Sequence, residues 1–95
     1  MKILIIEDVS LVADRISDLA IQNIANASVT ISYHLNDAIH KIDEDLFDLV
    51  FLDLNLNGQD GFELLKHAAA ASFQTIIITA SREKASRAFD YGVLD

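Results

Sequence analysis

Three places in the chain carry groups able to do chemistry together: Glu7-Asp8, Asp53, and Thr79-Ala80-Ser81. Each directly follows a short apolar run: Ile3 to Ile6, Leu49 to Leu52, and Ile76 to Ile78. A single acidic residue after such a run is ordinary turn or cap chemistry. Three polar features at equivalent places are worth testing as a set. If the first and third runs are neighbouring strands, about 4.8 Å apart, their terminal carboxylates converge. Such crowding is unfavourable unless one group takes a proton or a cation joins them. An all-oxygen cluster suits a hard ion such as Mg2+.

The elements that would hold these groups follow from the hydrophobic pattern. Ile3 to Ile6, Val29 to Ile31, Leu49 to Leu52 and Ile76 to Ile78 are the short continuous runs of strands buried on both faces. Between them, apolar residues recur three to five positions apart: Leu11, Ile16, Leu19 and Ile24; Leu35, Ile39 and Ile42; Phe62, Leu65 and Ala68 to Ala71. A fourth such segment runs from about Arg82 to Tyr91. Ser10, Asn36, Asp60 and Ser81 are read as helix starts, and Gly92 as a stop. Alternating strands and helices predict an α/β doubly wound parallel sheet with helices on both faces. In such sheets ligands bind beyond the carboxyl ends of the strands. The Asp53-to-Gly61 segment, with Gly58 and Gly61, then reads as a tight strand-to-helix loop in which Asp60 caps the helix.

Composition narrows the function classes. The chain has 95 residues, room for one small domain, with 52% hydrophobic and 23% charged residues, the balance of a globular chain. A net charge of -8 argues against direct nucleic-acid binding, which draws on clustered Lys and Arg. There is no cysteine, so disulfides and thiolate metal sites are excluded, in keeping with a cytoplasmic location. Glu7 and Asp8 interrupt the opening apolar run too early for a secretory signal, and no stretch reaches membrane-spanning length. His34, His40 and His67 are read as surface or core-margin residues; Tyr33, Phe47, Phe62, Phe73 and Phe89 are read as core.

Taken together, Glu7-Asp8 after the first strand, Asp53 opening a loop with Gly58 and Asp60-Gly61, and Ile-Ile-Ile-Thr79-Ala80-Ser81 resemble the receiver domain of bacterial two-component response regulators, in order and spacing across the chain. The resemblance implies a flavodoxin-like fold holding four of the usual five strands in the order 2-1-3-4. It implies that Asp53 is the phosphoacceptor for a phosphoryl group from a sensor histidine kinase or phosphotransfer protein. Asp8 matches the direct Mg2+ ligand, Glu7 its acidic neighbour, and Asn55 the position whose backbone carbonyl completes the metal site with Asp53. Thr79 matches the hydroxyl that turns toward the phosphoryl oxygens, and Ala80 the small residue beside it. The domain would be a phosphorylated switch and not an enzyme in its own right.

The sequence departs from that family at its end. The Lys on a fifth strand, usually followed by Pro, has no counterpart, because Lys66 and Lys84 fall on predicted helices. Residues 1–95 therefore read as a C-terminally incomplete receiver domain. The first explanation is a piece of a longer regulator, and the second is a homodimer through the exposed fourth strand or its helix. An interaction module that no longer switches is the alternative function. Asn57 stands where the family usually has Pro, a change that a turn tolerates. Residues 88–95 are similar to receivers attached to LytTR-type DNA-binding domains. A haloacid-dehalogenase-like phosphatase would need a second Asp at position 55, where the chain has Asn55.

Overall fold

The computed structural model describes residues 1–56, 59–61, 63, 64, 66 and 73–77. The elements are β1 (Lys2–Ile6), α1 (Ser10–Asn23), β2 (Ser28–Ser32), α2 (Leu35–Glu44), β3 (Leu49–Leu52), β4 (Asn55–Leu56), β5 (Gln59–Asp60) and β6 (Gln74–Ile77). Four strands form one parallel sheet in the order β2-β1-β3-β6. This is the expected flavodoxin-like order 2-1-3-4, with β6 as the fourth strand of the sequence reading.

Why Ile3 to Ile6 of β1 form an unbroken apolar run is plain from the two faces of the strand. In β1, Leu4 and Ile6 join a core with Leu35, Ala38, Val50, Leu52 and Leu64, whereas Ile3 and Ile5 join a second core with Ala13, Ala20 and Leu49. Successive side chains of a strand point to opposite faces, so a central strand covered on both sides needs apolar residues at every position. Helix α1 covers one face of the sheet and α2 the other. The fourth predicted helix, Ser81 as its start and Gly92 as its stop lie outside the described residues.

Several local expectations are corrected. Ser10 is not a capping residue: the N-cap is Val9, and no side chain caps α1. Asn36 is the second residue of α2, whose N-cap is His34, again without a side-chain cap bond. Asp60 does not precede a helix directly but pairs with Asn55 in a two-stranded antiparallel ribbon. The first helix turns only part of its expected stripe inward. Its buried residues are Ala13 and Ala20, with Ile16 and Ile24 packed beside them, while Leu11 is 80% exposed and Leu19 49%. Small alanines let the helix approach the sheet closely, and the larger leucines are left outside. Beside them an open groove of about 270 Å³ is lined by Ile16, Leu19, Ala20, Asn23, Ile24 and Phe51. Phe47 is buried and Phe73 packs against the core, but Tyr33 is exposed. His34 and His40 are exposed, as expected of surface positions, and His67 lies outside the described residues.

Candidate functional site

The carboxyl ends of β1 and β3 build the site. Ile6 and Leu52 are register partners, and the Asp53 N–H donates to the Ile6 carbonyl at 3.0 Å, so the residue after each strand leaves the sheet at the same level. On the other side the Glu7 N–H donates to the Ser32 carbonyl at 3.1 Å. Glu7 is thus held by β2 and Asp53 by β1. Among the described residues, Glu7, Asp8 and Asp53 bring a carboxylate oxygen each to within 4.8 Å of one another.

Electrostatics show the strain of that meeting. Glu7 is buried, only 5% exposed, and its carboxyl is pushed up from an ordinary 4.5 to about 7. Burial is the main cause. The hydrogen bond with Asp8 and the negative charges of Asp53 and Asp8 push the same way, while a bond from the Val9 N–H to Glu7 Oε1 at 3.2 Å pulls against them. A carboxyl that holds its proton near neutrality marks a cluster short of positive charge. A divalent cation supplies that charge, and three carboxylate oxygens within 4.8 Å of one another lie within reach of one shared hard ion. The donor set fits the ion that the sequence reading expects.

The described part of the segment after Asp53 carries a two-stranded ribbon and buried side chains. Leu54 and Leu56 are completely buried in the α2-side core, and Leu56 pairs with Gln59 in the β4–β5 ribbon. Gly61 then folds back on the site: its N–H donates to the Leu54 carbonyl at 3.1 Å. A Cβ there would lie 3.0 Å from Leu54 Cα and 3.1 Å from the Asp53 carbonyl oxygen. Both neighbours are main chain, so a side chain there fits only if the backbone gives by a few tenths of an ångström. Asn55 heads β4, two residues past Asp53. Thr79 and Ala80, with Ser81, lie outside the described residues.

Sequence reasoning brought out the three carboxylates but missed three contributors, Ser32, Leu54 and Leu56. Ser32 is fully buried and carries Glu7 on its carbonyl, and a serine at the end of a strand gave no cue beyond its place. Leu54 and Leu56 continue the alternation begun at Leu52, a period-2 signal that was legible.

Comparison with known proteins agrees with this geometry. Over 97 aligned residues the chain is 26% identical to the sensory transduction protein LytT of Bacillus subtilis (strain 168), covering 100% of this chain and 40% of that protein. It is 38% identical over 65 residues to protein-glutamate methylesterase/protein-glutamine glutaminase 3 of Vibrio cholerae, covering 68% of this chain and 18% of that one. The chain thus spans well under half of the curated relatives it matches. Among solved structures, the response regulatory domain of protein mrkE from Klebsiella pneumoniae superposes with a TM-score of 0.87 at 28% identity, over 100% of this chain and 80% of that one. The sequence profile of the response regulator receiver domain matches residues 3–95, and with the sheet order and the converged carboxylates already described, this chain belongs to the response regulator receiver domain family.

Proposed function

We propose that the chain accepts a phosphoryl group on Asp53 from the phosphohistidine of a sensor kinase or phosphotransfer protein, in a Mg2+-dependent step, and relays the signal by changing conformation. The observation that carries this is the convergence of Glu7, Asp8 and Asp53 beyond β1 and β3. A carboxylate oxygen of Asp53 attacks phosphorus, the P–N bond to the donor imidazole breaks, and the imidazole leaves with the electron pair. The product is an acyl phosphate. When bound, Mg2+ neutralises the phosphoryl oxygens and aligns donor and acceptor. Asp8 and Asp53 would hold the ion directly, Glu7 would assist, commonly through water, and the Asn55 carbonyl would complete the protein ligands. Glu7 lies on the buried side of the cluster while Asp8 and Asp53 are partly exposed, so the donor would approach from their side.

Thr79 would hydrogen-bond a phosphoryl oxygen, and Ala80 would leave it room. In this role the domain is a stoichiometric acceptor and not a turnover enzyme. We place it in the cytoplasm, as one segment of a longer regulator. Among the described residues no helix is long and apolar enough to cross a membrane.

Beryllofluoride with Mg2+ tests the reading, followed through the amide resonances of Asp53 and Thr79, with Asp53→Asn as control. Saturable, Mg2+-dependent shifts at both residues, lost in the control, are expected. A folded protein without shifts would replace this reading with an interaction module that keeps the fold but does not switch.

A further inference from the structure

Beside the carboxylates lies a polar strap that the chemistry above does not use. Ser32 ends β2 opposite Ile6, and its side chain is completely buried. A buried hydroxyl is costly unless bonded. This one donates to the Asp37 carboxylate, with the His34 carbonyl a weaker neighbour at 3.3 Å. Asp37 is held below the usual carboxylate range, first by its bond from Lys41 and next by Ser32. Lys41 lies one helical turn on, 2.8 Å from Asp37, and its ammonium also donates to the Ile31 carbonyl at 3.1 Å. Helix α2 therefore grips Ser32 from its first turn and Ile31 from its last. Ser32 in turn receives the Glu7 N–H on its carbonyl at 3.1 Å.

Asp37 is the third residue of α2, a place from which a side chain often reaches back to the free N–H groups of its own helix. Here the carboxylate reaches the strand instead. The strap runs from the helix, through the end of β2, into the main chain of the acidic pair.

We propose that Ser32 is a positioning residue for the cation site: anchored by Asp37, it fixes where Glu7 leaves the sheet and so sets how tightly the cluster holds Mg2+. The proposal rests on the cation-dependent acceptor reading above. Groups that orient metal ligands from behind change affinity by tenfold or more when removed, although they never touch the ion. Loss of the hydroxyl leaves the Ser32 carbonyl in place but frees the end of β2 to shift.

Titration of Mg2+ into the folded, chelator-stripped protein by calorimetry tests this, alongside amide hydrogen exchange at Glu7. Ser32→Ala is expected to weaken Mg2+ binding about tenfold and to speed exchange at the Glu7 amide. Asp37→Asn and Asp37→Ala remove the same charge, but only Asn keeps an acceptor for the hydroxyl. Asn should therefore bind Mg2+ about fivefold more tightly than Ala. Should Ser32→Ala fail to fold, the Asp37 pair answers alone. Equal affinities in the Asp37 pair, or in Ser32→Ala and wild type, would overturn the proposal while leaving the acceptor reading intact. A wild type that binds no Mg2+ would overturn both.

Discussion

At the scale of single residues, Glu7 links pH to stability in the metal-free protein. Its folded pKa, about 7, lies above its ordinary 4.5, so between those values the native state binds more protons than the unfolded chain. Stability contributed by this group is present below about pH 4.5 and is lost as pH rises through 7. Glu7→Gln should remove that slope, leaving a chelator-treated variant more stable than wild type at pH 8, as read from urea midpoints at pH 5 and 8. The same variant should bind Mg2+ less tightly. Gly61→Ala tests the opposite kind of constraint, since its Cβ would meet main chain at 3.0 Å. It should cost about 1–3 kcal/mol by urea denaturation and shift the Asp53 amide resonance.

At the scale of elements, the outcome depended on how much each side chain was asked to decide. The strands were legible because a centrally placed parallel strand admits little besides apolar residues, and β1 between β2 and β3 obeys this at Ile3, Leu4, Ile5 and Ile6. Helix orientation was harder. Leu11 and Leu19 looked like inward residues by size, but Ala13 and Ala20 took the contact, because a helix can lie closer to a sheet over small side chains. Caps failed for a similar reason: Ser10 and Asn36 have the right chemistry, yet tertiary packing set the helix starts one or two residues away. The carboxylate cluster was visible because strand order alone brings Glu7, Asp8 and Asp53 together. The Ser32 strap was not, because it depends on which way one hydroxyl points. Paired truncations make the contrast measurable. Leu56→Ala, fully buried, should cost about 2–5 kcal/mol. Leu11→Ala, 80% exposed, should stay within about 0.5 kcal/mol in the same denaturation series.

For the whole molecule, binding and folding are one equilibrium. The carboxylates converge only in the native state, so on the proposed reading Mg2+ should favour that state by about 2.7 kcal/mol at a hundredfold excess over its dissociation constant. A rise in melting temperature on adding Mg2+, abolished by chelator and reduced in Asp53→Asn, is the expected observation. It should be larger at pH 8 than at pH 5, where a proton on Glu7 already relieves part of the repulsion. The sheet order carries a consequence for how the chain is made. β1 leaves the ribosome before its partners, yet it pairs with β3 as well as β2, so its second edge stays open until Leu49–Leu52 has emerged. During synthesis Glu7 and Asp8 stand apart from Asp53, and the mutual repulsion arrives with one of the later docking events. The acidic centre is thus a late toll on assembly, one that a cation meeting the carboxylates as they docked would lower.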